Sequence, residues 1–180
     1  YIDEKTLPQP LNFYGNSKVQ AEKRLLTLAD NGFGVVLLRC PMIYGRGCRG
    51  NFPVLERLAL KLSLFPETGN KRSMLYVGNL AEFVRLMIEN EESGIFWPCN
   101  KEQAGTGELV RLIAACNGKK VALVPGFGPA LKLLSHFTGY VDKAFGSLVY
   151  EEHLGDYRKE YRLYTLEQSI KETQWQKKRR

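Results

Sequence analysis

The residues best suited to chemistry lie near the start of the chain, in NFYGNSK at 12–18. Tyr14 and Lys18 are four apart, so on a helix they share a face. A free phenol has a pKa of about 10, too high for a base at neutral pH, and a neighbouring ammonium favours the phenolate. A tyrosine tuned this way can give a proton to a carbinol oxygen, or take one from it, during hydride transfer. The spacing alone proves little. The chain's tyrosine and lysine content predicts roughly 0.7 such matches by chance. A second match, Tyr1 with Lys5, falls in a prolyl loop and is set aside. A tyrosine and a lysine that merely share a helix face remain the plain alternative.

The elements that must position this pair follow from the hydrophobic pattern. Residues 1–11 read as a loop carrying Pro8 and Pro10. Val19, Leu25, Leu26 and Leu28 among polar neighbours predict a helix from about 13 to 31, closed by Asn31-Gly32. VVLLR at 35–39 is a short continuous apolar run, as in a parallel strand buried on both faces. A Gly/Arg loop at 45–51 leads to an amphipathic helix at 52–62, and LSLF follows as a short strand. SMLYV at 73–77 predicts a strand, and NLAEFVRLMIENE at 79–91 a helix with one apolar side. IFWPCN at 95–100, GELVRLIAACNG at 107–118 and VALVP at 121–125 read as strand, helix and strand. Short helices are expected within 129–147, broken by Gly139. The sum is α/β.

Composition narrows the function. The chain is 44% hydrophobic and 25% charged, enough apolar material for a core. Of the formal charge of +7, four charges are the last four residues, so the body carries little excess. Basic and aromatic residues do not interleave in a nucleic-acid-binding pattern, and no nucleic-acid partner is expected. Four cysteines without a CxxC pair and two histidines give no metal-ligand spacing. Reduced thiols in a cytoplasmic protein are expected. The apolar run 121–131 is short and broken by Pro and Gly, so no membrane insertion is expected.

NFYGNSKVQAEK, then LLRCPMIYGRG, then RSMLYVGNLAEFV resemble, in this order, the extended short-chain dehydrogenase/reductase family. The similarity is closest to its NAD-dependent epimerase/dehydratase branch, the nucleotide-sugar epimerases and 4-keto reductases. It covers residues 1–100 well and continues weakly to about 174. Only the C-terminal portion of that family is represented. The resemblance implies the C-terminal part of a Rossmann-like parallel sheet fold plus a smaller mixed α/β substrate-binding region. Residues 1–48 would be the remainder of the dinucleotide-binding domain and 49–77 a substrate-binding segment. Residues 78–100 would return to the sheet and 101–174 form a C-terminal substrate-binding region, followed by a basic tail at 175–180.

The resemblance also implies roles. Tyr14 would be the acid/base; Lys18 would lower its pKa and hold the nicotinamide ribose of NAD or NADP. The Ser or Thr that the family places about two dozen residues before the Tyr lies beyond the start of this sequence. Ser17 suits local helix bonding instead. Pro41 would border the nicotinamide, and Met42 stands where some epimerases have an Asn touching the sugar nucleotide. Asn51 would approach the diphosphate and Arg72 would pair with it, since a guanidinium fork suits phosphate oxygens. Phe65 would sit beside the nucleotide base, with core packing as its alternative. Tyr44 and Gly45 match a Y-G turn and suit packing equally well. Arg46 and Arg49 add either positive potential or solvated charge. Asn79 replaces an Asp and is expected to cap the helix it starts.

The family's glycine-rich pyrophosphate loop has no counterpart here; GRGCRGN and PGFGP have the wrong spacing and context. The resemblance therefore implies an enzyme part whose partners are a nucleotide-diphosphate sugar, an N-terminal half of the same protein and a second copy in a homodimer. These residues alone are expected to be inactive. The alternative is a non-catalytic sugar-nucleotide-binding or regulatory remnant of the family.

Overall fold

The computed structural model describes residues 1–126 and 145–178, with side chains to Trp175. Six three-residue strands make three parallel pairs. They are β1 (Val36–Leu38) with β5 (Gly94–Phe96), β2 (Met42–Tyr44) with β4 (Met74–Tyr76), and β3 (Leu64–Pro66) with β6 (Ala122–Val124). Five helices accompany them among the described residues: α1 (Phe13–Leu26), α2 (Phe52–Lys61), α3 (Val77–Glu89), α4 (Thr106–Cys116) and α5 (Leu166–Lys178). The α/β class and parallel pairing agree with the sequence. The helices expected within 129–147 fall almost wholly outside the described residues.

Helix α1 begins where Asn12 accepts a bond from the Gly15 N–H at 2.8 Å, a side-chain N-cap. It ends earlier than its apolar pattern predicts, because Thr27 Oγ1 bonds back to Arg24 O and Asp30 organises a tight turn through the Gly32 N–H. Helix α5 was not legible from the pattern, and it runs to Lys178, into the segment marked as a basic tail.

Two apolar clusters form the interior. The larger joins Tyr44, Phe52, Leu55, Phe65, Leu109 and Ile113 to Ile170, uniting α2, α4 and α5 with β2–β4. The smaller places Leu75, Phe83, Leu86, Met87 and Tyr161 against the partly buried β1 residues Val36 and Leu38. The expectation that β1 is buried on both faces is corrected here. All three of its residues are half-buried, because Val36 and Leu38 line an open groove of about 800 Å³ with Phe33, Val84, Met87 and Ile88.

Between the clusters runs a buried polar network. The Asn100 amide donates to Tyr44 Oη at 2.8 Å, and its oxygen accepts from the Tyr76 N–H at 3.0 Å and from Asn79 Nδ2 at 3.1 Å. Tyr44 Oη also meets Ser169 Oγ of α5, and Asn79 exchanges two bonds with the backbone of Tyr164. Asn79 therefore does not cap α3 from its start. It sits inside the first turn, fully buried, and ties that turn to the chain entering α5.

A buried polar group left without its partner costs far more than a net hydrogen bond gains. Asn100→Ala leaves the Tyr76 N–H, the Tyr44 hydroxyl and Asn79 short of partners. Urea denaturation is expected to show a loss of roughly 2–4 kcal/mol. A loss within about 0.5 kcal/mol, the range of ordinary surface changes, would contradict the network's role.

Candidate functional site

The direction of α1 decides where Tyr14 and Lys18 lie. The helix runs back toward the start of β1, and Glu22 in its second half pairs with Arg39, the residue after β1. Tyr14 is eight residues nearer the amino end, about 12 Å further along the axis at 1.5 Å per residue. The pair therefore lies off the carboxyl end of β1, where ligands bind in open parallel sheets. Lys18 Nζ sits 5.3 Å from the centre of the Tyr14 ring, so the shared face is realised. Tyr14 is exposed, and Ser17 Oγ bonds back to Tyr14 O at 2.8 Å, the local role expected of it.

The carboxyl end of β1 adjoins the amino end of β2 through Arg39, Cys40 and Pro41. Pro41 is half-buried there. Met42 opens β2 opposite Met74, with its side chain partly buried against the larger cluster. Arg72 lies two residues before Met74. Its backbone exchanges bonds with Ala104 at 3.0 Å, and its Nε donates to Gly146 O at 2.6 Å. Burial lowers its pKa from the ordinary value, yet a guanidinium stays charged in proteins. Tyr150 fastens the two strands together, its hydroxyl donating to Arg39 O at 3.0 Å and its N–H to Ser73 Oγ at 2.9 Å. Pro41, Met42 and Arg72 thus share one junction.

The other predicted residues lie elsewhere. Asn51 is exposed beyond the carboxyl end of β2, where its carbonyl accepts from the N–H groups of Val54 and Leu55 as α2 begins. Phe65 is 3% exposed with its ring centre 5.8 Å from that of Phe145, the core packing named as its alternative. Tyr44 is fully buried, and burial pushes its phenol up to about 12, so it serves the interior network rather than proton transfer. Sequence reasoning missed Arg39, Glu22, Asn100 and Ser169. Of these, Glu22 carries a readable signal, since it continues the four-residue spacing of Tyr14 and Lys18. Among the described residues no group of three or more His, Cys, Asp or Glu side chains could hold a metal ion.

The residues at the β1 end fit the nicotinamide half of a dinucleotide by their chemistry. An ammonium and a phenol can donate to ribose hydroxyls, and a partly buried proline offers an apolar wall.

With this geometry in hand, comparison with known proteins identifies the family. The model of the NAD dependent epimerase/dehydratase family matches residues 2–96, and the chain belongs to that family. UDP-glucose 4-epimerase from Vibrio cholerae is 32% identical over 148 residues, covering 77% of this chain and 45% of the relative. N-acetyl-alpha-D-glucosaminyl-diphospho-ditrans,octacis-undecaprenol 4-epimerase from Escherichia coli O157:H7 is 30% identical over 126 residues, covering 66% of this chain and 38% of the relative. The chain thus spans less than half the length of both. The fold matches that of Bacillus anthracis dTDP-glucose 4,6-dehydratase, solved in complex with NAD. There the TM-score is 0.66 at 20% identity, over 98% of this chain and 56% of that one.

Gly45, between Tyr44 and the loop to α2, has φ +147°, and a Cβ there would lie 2.4 Å from Val77 Cγ1. Gly45→Ala is expected to cost ~1–3 kcal/mol in urea denaturation. Adding Val77→Ala removes the 2.4 Å contact but leaves Val77 Cβ at 3.1 Å and the backbone strain, so it should recover only part of the loss. Full recovery would show that the clash alone matters.

Proposed function

We propose that this chain supplies the proton-transfer and substrate-holding part of a NAD(P)-dependent enzyme acting at carbon 4 of a diphosphate-linked sugar. What supports this is the approach of Lys18 Nζ to within 5.3 Å of the Tyr14 ring centre, on a helix tied by the Glu22–Arg39 pair to the residue after β1. Family membership supports it, as do two relatives named as 4-epimerases of diphosphate-linked sugars.

In this mechanism Tyr14 takes the proton from the sugar hydroxyl as the carbon is oxidised and returns it on reduction. Lys18 stabilises the phenolate and, with Tyr14, holds the nicotinamide ribose. Bound NAD or NADP supplies the hydride acceptor and donor. Arg72 offers its charge to the diphosphate, and Asn51 adds a polar contact from the start of α2. Met42 gives the sugar an apolar neighbour where a hydrogen bond is absent, which weakens selection for one hydroxyl pattern.

The relative that acts on an undecaprenol-linked sugar supports a role in bacterial surface-polysaccharide synthesis, carried out in the cytoplasm. An N-terminal half of the same protein would complete the dinucleotide site, and a second copy would complete a homodimer. No helix among the described residues is long and apolar enough to cross a membrane.

Tyr14→Phe in the protein that carries this chain should abolish turnover across a panel of UDP-, GDP- and dTDP-sugars. Sugar-nucleotide binding, read by calorimetry, should persist. Unchanged turnover would remove the acid/base role from Tyr14. The 180 residues alone should show no saturable binding of NAD(H) in the low-micromolar range. Such binding by fluorescence titration would show that the chain holds a complete dinucleotide site.

A further inference from the structure

Among the described residues, short stretches outside the six strands lie edge to edge through isolated bridges. Ile2 stands beside Tyr150, Leu148 beside Arg72, and Arg72 beside Ala104. The stretch 148–151 is bonded on both of its edges. On one, Val149 O accepts from the Ile2 N–H and the Glu151 N–H donates to Ile2 O, each at 2.8 Å. On the other, the Leu148 N–H donates to Lys71 O at 3.2 Å, and Leu148 O accepts from the Ser73 N–H at 2.9 Å. The Tyr150 N–H follows on that same edge, donating to Ser73 Oγ at 2.9 Å. Alternate residues thus turn their backbone groups to opposite neighbours, as in an inner strand.

The two neighbours belong to opposite sides of the proposed reaction. Residues 71–73 carry Arg72, whose Nε donates to Gly146 O at 2.6 Å, just before the same stretch. Ile2 belongs to the segment that runs to Tyr14, and with Leu7 and Pro8 it lines one cleft with Arg39, Trp97 and Tyr150. The Tyr150 side chain makes a third connection. It is 6% exposed, and its hydroxyl donates to Arg39 O at 3.0 Å. The Arg39 guanidinium pairs in turn with Glu22, on the helix that carries Tyr14. Burial pushes the Tyr150 phenol above its ordinary pKa, so the hydroxyl stays a donor at neutral pH. One phenol therefore joins the stretch that holds Arg72 to the strand end that adjoins α1.

We propose that Tyr150 is a positioning residue that fixes the span between Arg72 and Tyr14, so that a sugar held by its diphosphate presents its reacting carbon to the Tyr14 phenol. The inference rests on the roles given to Tyr14 and Arg72 above. In a hexose ring, carbon 4 lies across from the carbon that bears the diphosphate, so two anchors on different elements must keep one distance. Without the bond to Arg39 O, residues 146–150 and Arg72 shift together against the end of β1. The substrate still binds, because Arg72 keeps its bond to Gly146 O. Its reacting carbon is misplaced, and misplacement by about 1 Å costs on the order of a hundredfold in rate.

Tyr150→Phe deletes one hydroxyl and keeps the ring and the backbone bonds. In the protein that carries this chain it should lower kcat by roughly ten- to a hundredfold with KM for the sugar nucleotide unchanged. A fall in melting temperature with kcat per folded molecule unchanged is what a merely structural role gives, and it overturns the proposal. In an Arg72→Ala background no anchored diphosphate is left to register, so Tyr150→Phe should lower kcat/KM by less than about threefold. A loss as large as in the wild-type background, additive with that of Arg72→Ala, also overturns it. Amide hydrogen exchange separates the proposal from the function on which it rests. Tyr150→Phe should speed exchange at Ser73 and Glu151 by about tenfold and leave α4 unchanged. Unchanged exchange at both overturns the physical link. A wild-type protein with no turnover on any diphosphate-linked sugar, together with faster exchange in the variant, removes the proposed function and the aiming of a sugar while the link itself stands.

Discussion

One buried carboxamide, Asn100, holds the interior in register. It serves Tyr44 of β2, the backbone of Tyr76 in β4 and Asn79 of α3 at once. Through Tyr44 the network reaches Ser169 of α5, and through Asn79 it reaches Tyr164. An apolar core tolerates small slips between layers, whereas a satisfied polar network does not, because each bond has a distance and an angle. The strand pair that leads to Arg72 and Met42 is therefore set by hydrogen bonds as much as by packing.

The other half of the site is built differently. Helix α1 rests on the body through an ion pair and exposes most of its apolar residues, while β1 pairs on one edge only among the described strands. Among the described residues, a hydrogen-bonded interior around Asn100 thus stands beside a helix that buries none of its residues. This division follows from the sequence of α1, whose apolar residues do not gather into one stripe facing the described body. The chain spans less than half the length of the two 4-epimerase relatives that it matches.

Much of this was legible from residue order. The helix at 79–91 and the helix at 107–118 came from regular apolar spacing, and their structures start or stop within about two residues of it. The Tyr14–Lys18 pairing needed only the helix period. What was not legible depended on tertiary context. The apolar pattern of α1 continues past Leu26, yet side-chain bonds from Thr27 and Asp30 end the helix. Phe65 carries the same residue type in a ligand wall or in a core, and only its neighbours decide. Asn79 resembles a cap in sequence, but its partners are Asn100 and the backbone of Tyr164, 85 positions away. Separations of 56 and 125 positions likewise hid Asn100 and Ser169, ordinary polar residues until the fold brings them to Tyr44.

The bond between Tyr44 and Ser169 spans 125 positions. During synthesis at about 5–20 residues per second, the phenol of β2 has no partner from α5 until most of the chain has left the ribosome. Loop closure over such lengths is slow and is offset only once the distant contact forms. The polar network around Tyr44 is thus completed only after α5 has been made.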